Sequence, residues 1–130
     1  MSTRALLDTH AFIWFISGSE RLSATARALI EAPENPILVS IASLWEISIK
    51  YGLGKLELAR PFDELIPEEL VRQRIGVLDI DLKHLAELTR LPLHHRDPFD
   101  RLIAAQALAE GLPIISVDVA LDPYGVQRIW

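Results

Sequence analysis

Four carboxylates in this sequence stand where catalytic sites are commonly built, at the ends of short apolar segments. Asp8 and Asp118 each end an apolar run, and Asp100 falls in the first turn of a predicted helix. Glu46 lies in another predicted helix, one that has almost no polar face. Carboxylate oxygens are the ligands that Mg²⁺ and Mn²⁺ prefer, and such an ion polarises a phosphoryl oxygen and activates water. Together, these acids would suit divalent-cation chemistry on a phosphate ester.

The segments that must position these acids alternate between short apolar strands and helices. This alternation predicts an α/β domain whose short, mostly parallel sheet of about four to five strands is flanked by helices on both faces. The predicted strands are residues 4–8, 36–40, 77–80, 112–117 and 126–130, and the predicted helices are residues 11–17, 24–32, 41–51, 61–73 with an interruption at Pro67, 82–89 and 98–110. Strand C-termini and helix N-termini share one edge of such a sheet, so we expect all four acids in one crevice there.

Each of these acids also has a purely structural interpretation. Asp8 and Asp118 are suited to cap the turns that follow them, and Asp100 is suited to complement a helix dipole. Glu46 stands four residues before Lys50, which is the favourable order for an ion pair on a helix. These interpretations do not explain why four acids fall at one edge, where they would repel one another without cations.

Composition limits the class of protein. The 130 residues suffice for one domain, residues 1–130, and the absence of cysteine excludes disulfides and thiolate metal sites. We find no signal peptide and no apolar span of bilayer length, so we expect a cytoplasmic protein that does not contact membranes. The net charge of −5 argues against a broad basic surface for nucleic acid, but not against a small acidic metal site. Half of the residues are hydrophobic, which indicates a protein interface.

Other catalytic motifs are missing from the sequence. It has no phosphate-binding loop, no glycine motif for dinucleotides and no convincing Ser-His-Asp set. His10, His94 and His95 lack metal-ligand spacing and are interpreted as surface or packing residues, with His10 and His95 near the predicted site. A receiver-like signalling module phosphorylated on Asp8 is the alternative from a different functional class, although the acid pair and the late lysine that it needs are absent.

Four segments carry a resemblance to a known family. In chain order they are residues 6–10 (LLDTH), 43–50 (SLWEISIK), 95–106 (HRDPFDRLIAAQ) and 115–118 (ISVD). With these segments, the chain resembles a PIN domain, and among PIN domains the VapC-type toxins of bacterial toxin–antitoxin pairs. The resemblance covers nearly the whole length and implies a PIN-like fold.

The resemblance also implies a function and a set of site residues. It implies a ribonuclease that depends on Mg²⁺ or Mn²⁺, in which Asp8, Glu46, Asp100 and Asp118 form the metal and catalytic site. Within the third segment, the acid before Arg-Leu-Ile-Ala-Ala matches the family residue, which favours Asp100 over Asp97. The fourth segment varies in the family, and Asp122 competes there with Asp118. A PIN-like domain that has lost catalysis and only binds protein is a further alternative, against which the intact acid set argues.

Substrate and partners follow from the same reasoning. Lys50, Arg96 and Arg101 are candidates to contact the phosphates of an RNA substrate, with solvated surface charge as the alternative. The resemblance implies a VapB-type antitoxin and a homodimer. The helices around residues 12–16 and 41–49 are apolar nearly all round, so we expect them to supply the dimer contact and a groove for an antitoxin helix.

Overall fold

A five-stranded, all-parallel sheet forms the centre of the part of the chain that the structure describes. The structure is a computed structural model and describes residues 2–93 and 97–130. The strands are β1 (Ala5–Leu7), β2 (Ile37–Ser40), β3 (Gly76–Leu78), β4 (Ile114–Ile115) and β5 (Arg128–Ile129), in the spatial order β3-β2-β1-β4-β5. Each predicted strand is present but shorter than its apolar segment. The predicted fold class is confirmed.

Six α-helices and one 3₁₀ helix connect these strands in the described ranges. They are α1 (Thr9–Ile16), α2 (Ala24–Glu31), α3 (Ile41–Gly52), α4 (Phe62–Arg72), α5 (Leu82–Arg90), α6 (Pro98–Glu110) and the 3₁₀ helix Val119–Tyr124. Several begin at a side chain that accepts a backbone N–H: Asp8, Ser23, Ser40, Asp97 and Asp118. The cap by Ser40 was not predicted from the sequence. Gly111 ends α6 with a φ of 67°, a conformation that glycine adopts without strain. None of the helices in the described ranges combines the length and the apolar character that a bilayer crossing requires.

The predicted interruption at Pro67 is wrong. Pro67 lies inside α4, which continues without a break from Phe62 to Arg72. Proline removes one N–H, so the carbonyl of Asp63, four residues earlier, loses its helical partner. Asp63 and Pro67 are both exposed, so water can satisfy that carbonyl. The buried side chains of Leu65 and Ile66 hold the helix against the core on its other side.

The strand order decides where a ligand can bind. β1 lies between β2 and β4, with Leu6 paired to Leu38 on one side and to Ile114 on the other. The chain runs from β1 through β2 to β3 on one side of β1, and then crosses over to β4 on its other side. Open sheets of this kind bind ligands at the carboxyl ends of the strands beside such a reversal. Receiver domains have the order 2-1-3-4-5 instead. The observed order therefore excludes the receiver-like alternative.

The core lies on both faces of the sheet. Leu7 packs with Phe12 and Ile47 on one face, whereas Leu6 packs with Ile103 on the other, and all of these side chains are buried. Alternate residues of β1 therefore enter different layers, because successive strand side chains point to opposite faces. The expectation of helices on both faces is confirmed.

A buried polar network ties α6 to the start of α3. Gln106 on α6 accepts a hydrogen bond from the hydroxyl of Ser40, and its amide donates to the carbonyl oxygen of Asp79 at 3.2 Å. Ser40 in turn accepts the backbone N–H of Ala42 at 3.0 Å, which caps α3. Both Ser40 and Gln106 are fully buried. Since unmade buried hydrogen bonds are costly, this network fixes α6 relative to α3, the two helices that carry Asp100 and Glu46.

Candidate active site

A cleft of about 490 Å³ opens beyond the carboxyl ends of β1 and β4. Three of the four predicted acids line it: Asp8 directly follows β1, Asp118 follows β4, and Asp100 lies in the first turn of α6. The other residues of its lining are His10, Trp14, Val117 and Val119. Residues from three distant parts of the sequence thus meet at one edge of the sheet.

Asp8 is the most enclosed of the three acids that line the cleft. It is 5% exposed, and its side chain accepts the backbone N–H of Ala11 at 2.8 Å. Burial raises the pKa of Asp8 above its ordinary value of 3.8, and the negative charge of Asp118 raises it further. Hydrogen bonds from Ser116 and Ala11 and the nearby His10 act in the opposite direction. The surroundings of Asp8 therefore oppose its negative charge on balance.

Glu46 lies beside the cleft and not in its lining. It is buried on α3, where one carboxylate oxygen accepts the hydroxyl of Thr9 at 2.8 Å and the other accepts Lys50 Nζ at 2.7 Å. Thr9 directly follows Asp8, so Glu46 is connected to the cleft through that hydroxyl. The ion pair with Lys50 that the sequence spacing indicates is confirmed.

Lys50 faces several acids at once. Its hydrogen bond to Glu46 raises the pKa of the ammonium group, and the negative charges of Asp97 and Asp100 raise it further. Lys50 is partly exposed, so its charge is also accessible from solvent. This lysine brings a positive charge to the junction of α3 with the first turn of α6.

At two places the sequence offers two candidate site acids, and the contacts of each acid distinguish them. Asp97 accepts the backbone N–H groups of Phe99 and Asp100 and so caps α6, whereas Asp100 lines the cleft. Asp122 forms an ion pair with Arg128 at 2.9 Å, whereas Asp118 lines the cleft and also caps the 3₁₀ helix. The geometry favours Asp100 over Asp97 and Asp118 over Asp122.

The acids do not form a closed cage. Within residues 2–93 and 97–130, no group of three or more histidine and acidic side chains is arranged to hold one metal ion by itself. The fourth acid, Glu46, is already engaged by Thr9 and Lys50. The site is an open cleft with three carboxylates in its lining.

Comparison with known proteins identifies the family of this chain. The model of the PIN domain matches residues 5–125, which is most of the chain. This chain belongs to the PIN-domain family. The family expected from the four sequence segments is therefore confirmed.

Two sequence relatives and a solved structure are consistent with membership of the PIN-domain family. Ribonuclease VapC16 of Mycobacterium tuberculosis is 40% identical over 70 residues, which is 51% of this chain and 50% of that protein, so the match spans half of its length. Ribonuclease VapC22 of the same organism is 27% identical over 127 residues, which is 97% of this chain and 95% of that protein. A structure of VapBC2 from Rickettsia felis, bound to a promoter DNA fragment, superposes with a TM-score of 0.74 at 18% identity and covers 98% of both chains. At that identity the structural match supports the shared fold.

Neither Lys50 nor Arg101, the two described candidates for phosphate binding, belongs to the lining of the cleft of this PIN domain. Lys50 is close enough to Asp100 to feel its charge, whereas Arg101 donates to the carbonyl oxygen of Leu91 at 3.4 Å, at the end of α5. Arg96, like His94 and His95, lies outside the described residues.

Sequence reasoning missed two hydroxyl groups that organise the acids. Ser116 is fully buried, hydrogen bonds with Asp8 and accepts the backbone N–H of Asp118 at 3.0 Å. Thr9 is buried between Asp8 and Glu46. Each hydroxyl residue is close in sequence to an acid at the end of a strand, which is the signal that could have identified both of them. Trp14 was also missed as part of the cleft, because the apolar segment around it indicated a contact with another protein chain.

Proposed function

We propose that this PIN domain is an endoribonuclease that hydrolyses phosphodiester bonds of RNA with the help of a divalent cation, and that it acts as the toxin of a toxin–antitoxin pair. The observation that carries the proposal is the convergence of Asp8, Asp100 and Asp118 on one open cleft at the carboxyl edge of the sheet. The names of the two relatives, both ribonucleases, support the activity.

The donor set of the cleft suits a hard cation. Its acidic side chains offer only oxygen, and the chain has no cysteine that would favour softer metals. Mg²⁺ keeps several waters and is commonly held by one or two carboxylates together with substrate phosphates, so an open cleft fits it better than a closed cage. Asp8 and Asp100 would hold the cation, Mg²⁺ or Mn²⁺, with Asp118 at a second or outer position. When bound, the cation supplies Lewis-acid polarisation of the phosphate and activation of the attacking water.

The protein's own residues position the substrate and keep the acids ready. The Ala11 N–H and Ser116 hold the carboxylate of Asp8 in one orientation. Thr9 and Lys50 hold Glu46 so that it can orient the attacking water or complete the cation's surroundings. Lys50 also offers a positive charge to a phosphate of the substrate. Attack by water leaves a 5′-phosphate on one product and a 3′-hydroxyl on the other.

Removal of metal tests this proposal directly. RNA cleavage by the purified chain is expected to stop in EDTA and to return when Mg²⁺ or Mn²⁺ is added in excess, because the carboxylates alone cannot polarise the phosphate. Gel analysis of a labelled RNA, followed by phosphatase treatment of the products, measures both the cleavage and the 5′-phosphate. Cleavage that persists in EDTA, or products with 2′,3′-cyclic ends, would contradict the metal mechanism.

The same proposal includes a partner that covers an apolar groove between α3 and α4. The groove measures about 410 Å³ and is lined almost entirely by apolar side chains, among them Trp45, Phe62 and Ile66. Trp45 is 55% exposed, although indoles are usually covered. An amphipathic helix of a VapB-type antitoxin fits such a groove, and a basic side chain that follows it would reach the nearby acids and block cation binding.

A homodimer is the second part of the partner proposal. α1 contributes less exposed apolar surface than expected, because Phe12 and Phe15 are buried in the core. α5 offers more, since Leu82 and Leu85 are 84% and 42% exposed. A second copy of this chain that packs on α5 would cover these leucines.

Charge substitutions in the two surfaces test both partners. Trp45→Glu is expected to abolish capture of the antitoxin expressed from the neighbouring gene and to leave the dimer intact, whereas Leu82→Glu is expected to do the reverse. Each change would place a carboxylate in an apolar contact, which is costly. Sedimentation velocity measures the dimer and co-purification measures the antitoxin. A wild-type chain that sediments as a monomer, or antitoxin capture unchanged by Trp45→Glu, would contradict the corresponding assignment.

A further inference from the structure

An aromatic pair forms part of the acidic cleft. The ring of His10 contacts Trp14 in a tilted arrangement, with a centroid separation of 5.6 Å and an interplanar angle of 33°. Trp14 meets Trp130 edge-on at 5.9 Å, which braces the indole from another direction. His10 is exposed and Trp14 is partly exposed, and both rings line the cleft with Asp8 and Asp100. Trp14 thus packs against the core on one side and contributes to the cleft on the other.

Apolar surface accompanies these rings. Val117 and Val119 flank Asp118 and line the same cleft, and they are 44% and 65% exposed. One short loop thus presents two valines to solvent next to a carboxylate that the proposed activity uses. A cleft built only to hold a cation and a phosphate would gain nothing from exposed apolar side chains, since both of those ligands are strongly hydrated.

Acids beside aromatic and apolar surface match the two chemical parts of a nucleotide. We propose that His10 and Trp14, with Val117 and Val119, form a subsite that stacks one nucleobase next to the phosphate held at the acids. The inference rests on the proposed ribonuclease function and adds the part of the substrate that the acids do not explain. At about 490 Å³, the cleft falls in the range of pockets that enclose small organic ligands, about 300–1,000 Å³.

This subsite recognises the face of the base and not its edge. Stacking is tolerant of sequence because every base has a π-face, and it favours bases with more surface. The nucleotide bound there is therefore a purine more often than a pyrimidine, without a fixed identity. Sequence choice by the enzyme must come from other contacts.

Fluorescence of Trp14 tests the stacking without any cleavage. Adenosine 5′-monophosphate carries the base and the 5′-phosphate of a product, whereas ribose 5-phosphate carries the same phosphate without a base. In the presence of Mg²⁺, the nucleotide is expected to quench tryptophan fluorescence and to bind about 5 to 140 times more tightly than ribose 5-phosphate, measured by displacement. Trp14→Leu should remove the quenching and most of this preference.

Matched variants separate stacking from other roles. Trp45→Leu removes an exposed indole outside the cleft and is expected to keep both the quenching and the preference. His10→Phe keeps a ring and should retain the nucleotide affinity, whereas His10→Ala should lose part of it. For RNA cleavage, Trp14→Leu should raise KM with little change in kcat, because stacking binds the ground and transition states alike.

Two results would overturn the inference. The first is equal binding of the nucleotide and ribose 5-phosphate by the wild-type chain. The second is a base preference that survives Trp14→Leu. If His10→Phe keeps the nucleotide affinity but lowers kcat, His10 takes part in proton transfer during cleavage. Its assignment to the stacking subsite is then wrong. Base stacking without RNA cleavage would reject the ribonuclease proposal and leave the subsite standing, whereas cleavage without stacking would do the opposite.

Discussion

Asp8→Asn and Asp100→Asn are each expected to lower RNA cleavage by at least about 10²-fold without loss of the fold. Both side chains line the cleft and would hold the cation, and asparagine has a neutral oxygen that binds Mg²⁺ weakly. Asparagine keeps the cap that Asp8 provides for α1, because it caps a helix about as well as aspartate. Initial rates on a labelled RNA in excess Mg²⁺ measure the loss, and circular dichroism checks the fold.

A neighbouring acid provides the matched control for Asp100. Asp97→Asn keeps the cap of α6 and lies three residues away, outside the lining of the cleft. It should retain most of the activity. An inactive Asp97→Asn beside an active Asp100→Asn would reverse the assignment within the third sequence segment.

Glu46→Gln is also expected to lower RNA cleavage by at least about 10²-fold, since it keeps the hydrogen bond from Thr9 but breaks the ion pair with Lys50.

Stability should respond to metal in a way that only a cation site explains. Mg²⁺ at 100 times its dissociation constant is expected to raise the free energy of unfolding of the wild-type chain by about 2.7 kcal/mol, because it binds the folded state only. The same Mg²⁺ should do little for Asp8→Asn. Asp122→Asn, which changes an acid paired with Arg128 outside the cleft, should keep the wild-type response. Thermal melts with and without Mg²⁺ measure these differences.

Without metal, Asp8→Asn should be more stable than the wild-type chain, which is the reverse of their order in excess Mg²⁺. The pKa of Asp8 is raised in the folded state, so the folded chain holds this proton more tightly than the unfolded chain. The wild-type chain therefore loses stability as pH rises from the unfolded value, about 3.8, through the raised folded pKa, and the cost persists at neutral pH. Asp8→Asn carries no charge there and should be the more stable protein at pH 7, with the difference vanishing below pH 3.8. A less stable Asp8→Asn, with no metal-dependent difference, would leave Asp8 as a cap only.

The sequence by itself determined the elements and the acids at their ends. Alternation of apolar strands with capped helices predicted the parallel sheet, since burial on both faces requires such runs. The caps at Ser23 and Asp97 were predictable because they depend on contacts within three residues. The four family segments identified the PIN domain, because they combine residue types and order over nearly the whole chain.

The tertiary structure alone decided how the acids are used. Glu46 lies beside the cleft because Thr9, 37 residues earlier, meets it across the sheet edge, and no local pattern encodes that distance. Asp122 forms an ion pair with Arg128, whereas Asp118 lines the cleft. The apolar segment around Trp14 indicated a contact with another protein chain, but the position of Trp14 on α1 brings it against His10 in the lining of the cleft. Such choices depend on packing between distant segments, whereas caps and strands depend on neighbours in the chain.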